Sequence, residues 1–87
     1  MSMIFKYPLP SPVSDVALPV GSVVLAFDLQ RGSPTLWALV DETVERETRT
    51  FHVLATGQPF GGVGLRYIGT GQNEDGSLVL HCFEVVR

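Results

Sequence analysis

The stretch Pro34-Thr35-Leu36-Trp37-Ala38-Leu39-Val40-Asp41 contains the only tryptophan of the chain and is apolar on both alternating sides. In an extended strand, the side chains of Leu36, Ala38 and Val40 point to one side, and the residues between them point to the other. An apolar run of this length, opened by a proline and closed by an acidic residue, is typical of a strand buried on both faces. We therefore expect this segment at the centre of the fold, with the indole of Trp37 in the core.

The segment that precedes this stretch has the clearest alternation in the chain. Residues 21–30 repeat with a period of two, as expected of a strand with one apolar face. The side chains predicted on that face are Val23, Leu25, Phe27 and Leu29. The turn residues Gln30-Arg31-Gly32-Ser33 follow, and glycine permits the tight backbone that a turn needs. Residues 21–41 are therefore predicted to form a hairpin.

Five further segments have the pattern of short strands. They are residues 4–7, 13–18, 48–56, 65–69 and 77–86. Prolines follow the first two segments closely and remove backbone donors, so both are predicted to be edge strands. The last segment is apolar on most of both sides, which predicts a central strand.

No segment has a convincing helical period, so the predicted fold class is all-β. Six to seven short strands with strong turn punctuation indicate a small antiparallel barrel or a two-layer sandwich. The 87 residues are long enough for one domain, 1–87. Within it, residues 1–20 are predicted to be a proline-rich edge segment and residues 21–87 the core sheet.

The composition narrows the classes of partner. The chain has six basic and nine acidic residues, a net charge of −3, which argues against binding duplex nucleic acid through its phosphates. Its single cysteine excludes an intrachain disulfide and fits a reducing compartment. The start of the chain lacks the pattern of a signal peptide, and no apolar run is long enough to cross a bilayer. We therefore expect a cytoplasmic protein that does not bind membranes.

An acidic connection follows the tryptophan segment. Residues 41–49 are predicted to form a solvated hairpin loop, although one helical turn is an alternative. Trp37 and Phe83 are expected in the core, whereas Phe5, Tyr7 and Phe60 are candidates for a contact surface. The residues predicted to contact a protein partner are Asp41, Glu42, Glu45, Glu47 and Phe60.

A glycine-rich segment, residues 57–64, offers a second kind of site. It lacks the Gly-Lys-Ser/Thr ending of a phosphate-binding loop, and no helical pattern follows it. A flexible loop is the expected structure, and such loops often carry recognition residues. If it binds a small ligand or nucleotide, the residues predicted to do so are Gly57, Gln58, Gly61 and Gly62, with Arg49 or Arg66 as the partner of an anion.

The candidates for catalysis and metal binding are few. His81 and Cys82 are adjacent, so on a strand their side chains point to opposite faces. His52 and His81 could meet across strands, with Glu84 or Asp28 as a third ligand, but we expect hydrogen-bonded histidines and a buried cysteine instead. No serine lies in a nucleophile elbow. The sequence therefore predicts a non-enzymatic protein without a metal or cofactor.

Several short motifs occur in a fixed order along the chain. The motifs are Lys6-Tyr7-Pro8, Leu36-Trp37-Ala38-Leu39-Val40-Asp41, Thr56-Gly57-Gln58-Pro59, Gly69-Thr70 and His81-Cys82-Phe83-Glu84. In this order they resemble the pattern of a family of small proteins encoded by tailed bacteriophages and prophages. The chain departs from the family at Gln58, where members often carry histidine. The resemblance assigns no activity to any residue. It implies a phage or prophage product that acts inside a bacterium.

Three functional hypotheses follow from these observations. The first is a phage-encoded protein that binds a host protein, such as part of a defence system, by presenting acidic side chains to a basic surface. The second is a module that binds a small ligand or nucleotide. The third is a structural or assembly protein, or a homo-oligomer held by edge strands.

Overall fold

The fold is a two-layer β-sandwich, as a computed structural model that describes residues 1–61 and 64–86 shows. The strands are β1 (Met3–Pro8), β2 (Val13–Pro19), β3 (Val23–Gln30), β4 (Ser33–Val40), β5 (Arg46–Ala55), β6 (Leu65–Gln72) and β7 (Val79–Val85). They form two antiparallel sheets with the orders β1-β4-β3 and β2-β5-β7-β6. The described residues contain no helix, and therefore none that could span a bilayer. This architecture confirms the all-β expectation and selects the sandwich over the barrel.

The core lies between the inner faces of the two sheets. Its buried side chains are Leu9, Leu18, Phe27, Leu36, Phe51, Val53 and Cys82. Leu9 and Leu18 belong to the proline-rich segment 1–20, whose strands β1 and β2 join different sheets. Burying apolar side chains from both sheets removes them from water and provides the main driving force for folding.

The tryptophan strand is central within its sheet but is buried on one face only. Leu36, Ala38 and Val40 are buried, whereas Leu39 is exposed and Trp37 is half-buried. The prediction of burial on both faces, with the indole in the core, was therefore wrong. A sandwich covers only the inner face of each sheet, so the apolar side chains on the outer face of β4 meet solvent.

The hairpin predicted over residues 21–41 is confirmed by the pairing of β3 with β4. Arg31 and Gly32 both have positive φ and form the two-residue turn of a β-hairpin. The predicted apolar face of β3 was only half correct, because Val23 and Leu25 are exposed. The register shifts between Val24 and Ala26, and such a bulge reverses which alternate side chains point inward.

The acidic connection is not a hairpin loop. It links β4 in one sheet to β5 in the other, so the chain crosses between the layers here. β6 also extends to Gln72, beyond its predicted end, and the following turn is closed by the hydrogen bond from the Asn73 amide to the Leu78 carbonyl at 3.0 Å. β7 lies between β5 and β6, which confirms its predicted central position.

Strands β3 and β6 pack closely against each other at the edge of the sandwich. A Cβ atom at Gly71 would lie 2.6 Å from Asp28 Oδ1, 2.9 Å from Asp28 Cα and 3.0 Å from the Leu29 amide nitrogen. Two of these atoms belong to the backbone, so no side-chain rotation can relieve the overlap. Gly71 therefore permits the two sheets to meet along this edge.

Gly71→Ala should destabilise the protein by roughly 2 kcal/mol or more, because the added methyl group forces β3 away from β6. Urea denaturation followed by tryptophan fluorescence measures this change. Gly61→Ala is the matched control, since a Cβ there meets nothing within 4 Å. Equal stability of the two variants would contradict the close approach of β3 and β6.

Candidate functional site

The outer side of the four-stranded sheet carries an exposed aromatic cluster. The register aligns Val13, His52, Phe83 and Tyr67 in one row across β2, β5, β7 and β6. The ring centroids of Phe83 and Phe60 lie 4.7 Å apart, and those of Phe83 and Tyr67 lie 5.6 Å apart. Phe60 is 52% exposed and Tyr67 57% exposed. We call the surface formed by Phe60, Tyr67 and Phe83 the aromatic face.

A chain of hydrogen bonds borders the aromatic face. His81 Nε2 lies 2.8 Å from the Thr56 hydroxyl, and His81 Nδ1 lies 2.9 Å from the Thr70 hydroxyl. The Thr70 hydroxyl also lies 2.6 Å from the hydroxyl of Tyr67. Both ring nitrogens of His81 are therefore held by side chains, one from the turn after β5 and one from β6, as expected for a hydrogen-bonded histidine. The network fixes a polar rim beside the exposed rings.

A shallow cleft of about 260 Å³ opens between Phe60 and the rim. Its lining is Leu54, Ala55, Thr56, Gly57, Gln58, Phe60, His81 and Phe83. Sites for drug-sized ligands usually have about 300–1,000 Å³ and enclose most of the ligand. This cleft is smaller and open, and its walls are mainly apolar. Its shape suits the insertion of one side chain from another protein.

Phe83 was predicted in the core but lies on the aromatic face. The alternation of β7 explains the difference, because Cys82 and Glu84 point inward and the residue between them must point outward. The exposed position of Phe60 agrees with its predicted role as a contact residue. Tyr7, predicted at a contact surface, instead packs half-buried against the core.

The acidic residues predicted to bind a partner lie far from the aromatic face. Glu42 forms an ion pair with Arg46, and Asp41 accepts hydrogen bonds from the amide and hydroxyl of Thr43 at 2.9 Å and 2.6 Å. These hydrogen bonds hold the pKa of the Asp41 carboxyl below its usual value. Arg46, at the acidic loop, and Leu54, at the cleft beside Phe60, are eight residues apart on β5. At 3.3 Å per residue, this separation is about 26 Å. The structure therefore does not join the acidic loop and Phe60 in one contact patch.

A charged cluster that the sequence analysis missed lies at the inner edge of the four-stranded sheet. Arg49 donates to both carboxylate oxygens of Glu84, at 2.6 Å and 2.8 Å, and Arg66 donates to one of them at 2.8 Å. Arg49 also donates to the Ser22 carbonyl oxygen at 2.6 Å, which ties the cluster to the link before β3. Only the cross-strand register places these three residues together.

Electrostatics in this cluster favour its charged form. The hydrogen bond from Arg49 holds the pKa of the buried Glu84 carboxyl below its usual value, against the opposing effect of burial. The same hydrogen bond raises the pKa of Arg49. A buried carboxylate flanked by two guanidinium groups needs both partners to offset its loss of hydration. We interpret the cluster as a structural clamp.

The residues predicted to bind a small ligand are not brought together. Arg49 and Arg66 bind Glu84 on the inward side, whereas Gly57 and Gln58 follow the opposite end of β5. The side-chain oxygen of Gln58 accepts from the Ala55 amide at 3.0 Å and closes the turn. Gly61 is exposed, and Gly62 lies outside the described residues.

The candidate metal ligands are also separated. His52 and His81 are on the outer face, whereas Glu84 is on the inner face. Within residues 1–61 and 64–86, no three His, Cys, Asp or Glu side chains converge. Cys82 is fully buried, and burial raises the pKa of its thiol to about 12, so it stays protonated at neutral pH.

These features define a small antiparallel β-sandwich with an exposed aromatic face and a buried arginine–glutamate clamp. The chain belongs to the DUF7352 family, a domain of unknown function, whose family model matches residues 1–87. The comparison with curated proteins gives no match. The comparison with solved structures gives no match either.

Glu84→Gln should lower the free energy of unfolding at pH 7 by roughly 2–4 kcal/mol, because it removes the charge that compensates Arg49. The folded-state pKa of Glu84 is depressed, so its contribution is complete above the unfolded pKa of about 4.3 and is lost as the pH falls through the lower folded value. Urea unfolding between pH 2 and pH 7 measures both effects.

As the pH falls, the free energy of unfolding of Glu84→Gln should therefore decrease less than that of the wild type. Glu45→Gln, at an exposed loop carboxylate, is the control and should keep the acid dependence of the wild type. If Glu84→Gln and the wild type lost stability equally as the pH falls, the clamp would not be the source of the acid dependence.

Proposed function

We propose that this protein is a non-enzymatic binding protein of bacteriophage or prophage origin that acts on a host protein in the bacterial cytosol. The observation that carries the proposal is the aromatic face. Phe60 and Tyr67 both contact Phe83 on the outside of the sheet, and both are more than half exposed. Clustered exposed aromatic rings are characteristic of binding surfaces.

Several features favour a protein as the occupant of this face. The cleft beside Phe60 has an apolar lining and a polar rim formed by Thr56, Thr70 and His81. An apolar centre with a hydrogen-bonding border is the usual anatomy of a protein–protein interface. The rings are preorganised by contact with each other, so little conformational entropy is lost on binding.

Charge favours a basic partner. The net charge is −3, and Glu45 and Glu47 are exposed at the end of β5 distant from the rings. From that distance, acidic side chains accelerate the encounter with a positive surface without forming part of the apolar contact. A host protein that normally binds nucleic acid, including a component of a defence system, would present such a surface.

The proposal is tested by replacing Tyr67 with a photo-crosslinking amino acid and irradiating host cells that express the protein. We expect a crosslink to one host protein, because this position lies at the open side of the aromatic face. The same amino acid at Leu25, exposed on the other sheet, is the control and should give no such product. The identified protein is then purified and its affinity measured by calorimetry.

Phe60→Ala should weaken that complex at least tenfold, about 1.4 kcal/mol or more, because it removes the ring that covers Phe83. Leu25→Ala should leave the affinity within twofold. The double variant Glu45→Lys/Glu47→Lys should lower the association rate at low salt more than it raises the dissociation rate.

Equal crosslinking from positions 67 and 25, or an unchanged affinity of Phe60→Ala, would refute the proposal. Thermal stabilisation by nucleotides that Phe60→Ala abolishes would also refute it, in favour of a small ligand.

A further inference from the structure

Within residues 1–61 and 64–86, the two sheets have four edge strands, and three of them are protected. β3 and β6 pack against each other, each with a bulge that disrupts a regular edge. β2 carries the charged Asp15 in its middle and prolines at both ends, Pro12 and Pro19. Bulges, charges, prolines and covering elements are the devices that prevent an edge strand from pairing with another chain.

β1 has fewer of these devices, since its pairing with β4 has no bulge and its one proline, Pro8, is the last residue of the strand. In the described part of the chain, β1 pairs only with β4, in a regular register from Met3 to Pro8. Its only charge is Lys6, whose Nζ donates to the side chain of Gln30 at 2.9 Å. Met3 is 48% exposed and Ile4 62% exposed. β1 is therefore a regular edge strand with mainly apolar side chains.

The hydrogen bonds of β1 show which backbone groups face this open edge. The Leu9 amide donates to the Pro34 carbonyl at 2.9 Å, in line with the register of β1 and β4. In an antiparallel ladder alternate residues bond to the same neighbour, so Phe5 and Tyr7 direct their backbone groups toward β4. The N–H and C=O groups of Ile4 and Lys6 must then point away from the sheet.

We propose that β1 pairs antiparallel with β1 of a second copy of this chain, which makes a two-fold symmetric dimer. In the register we infer, Phe5 lies opposite Phe5 of the second copy, and Ile4 lies opposite Lys6. Each Ile4–Lys6 pair exchanges two backbone hydrogen bonds, so every outward N–H and C=O of these residues gains a partner. The two three-stranded sheets join into one continuous sheet.

Charge and side-chain chemistry select this register and this occupant. A shift by two residues in one direction would place Lys6 directly opposite Lys6, and like charges opposite each other are destabilising. In the inferred register, Phe5 lies opposite Phe5 of the second copy and Met3 lies opposite Tyr7, so the inner-face side chains bring apolar surface against apolar surface. Two copies of β1 thus pair each other's backbone groups and apolar side chains. The segment is self-complementary, as an isologous interface requires.

The expected contact is small, so we expect weak association. A standard stable interface buries about 800 Å² on each partner, and a single pair of short strands buries less. We therefore expect a dissociation constant in the range of about 10–100 µM. Sedimentation equilibrium between 1 µM and 1 mM covers both the monomer and the dimer.

Lys6→Pro tests the strand pairing directly. Proline removes the outward N–H of residue 6 and takes no hydrogen bond from β4, so the monomer should keep its fold. We expect the dissociation constant to rise at least tenfold. Lys6→Ala is the matched control, because it loses the same side chain, keeps the N–H and should still dimerise. Circular dichroism and urea denaturation verify that both variants are folded.

Cysteine substitutions test the register. Phe5→Cys should form an intermolecular disulfide on mild oxidation, because across the two-fold axis its Cα atoms would be about 4.5 Å apart. Ile4→Cys should not form one. Residue 4 lies opposite residue 6 of the second copy, so the two Cα atoms of residue 4 are more than about 7 Å apart. The wild type is the control, because Cys82 is fully buried.

A wild-type protein that stays monomeric at 1 mM would overturn the proposal. So would equal dissociation constants for Lys6→Pro and Lys6→Ala, since the interface would then not use the edge of β1. Crosslinking of Ile4→Cys without Phe5→Cys would overturn the inferred register. None of these outcomes bears on the aromatic face, which lies on the other sheet.

Discussion

The contact between β3 and β6 determines which edges of this sandwich are closed and which is open. At Gly71 the backbone of one sheet lies against Asp28 and Leu29 of the other, at distances that exclude any side chain. Because the two sheets meet on this side, β1 and β2 become the outer limits of the fold. β2 carries a charge and is flanked by prolines at both ends, whereas β1 has one charge and a proline at one end only. The position of one glycine thus bears on where the protein can associate.

A sandwich of this size can bury only one face of each sheet. The core uses the inner side chains of both sheets, with Phe51 and Leu36 fully buried at its centre. In the part of the chain that the structure describes, no third layer covers the apolar residues of the outer faces. Trp37 is half-buried as a result, and the rings of Phe60 and Tyr67 remain exposed. The high apolar content of the chain, 45%, therefore supplies exposed apolar surface in addition to the core.

The charged clamp joins the two sheets at the end where β2 leads into β3. Arg49 bonds to Glu84 within its own sheet and to the Ser22 carbonyl in the link to the other. Because both side chains are largely withdrawn from water, the geometry of the clamp must be maintained for the charges to compensate each other. Arg49 and Arg66 both pair with Glu84 and therefore serve to stabilise the fold. This arrangement is the physical reason why recognition is better sought on the aromatic face than at the basic residues.

The sequence by itself determined the strands, because alternation, proline positions and turn residues are local properties. It placed all seven strands approximately, the hairpin at Arg31-Gly32 and the central position of β7. It also predicted that Phe60 is exposed. The tertiary structure decided which side of each strand faces the core. A single bulge at Leu25 reversed the exposed side of β3, and the absence of a third layer exposed Leu39. It also decided the pairing of Glu84 with two arginines, since residues distant in sequence meet only through the cross-strand register.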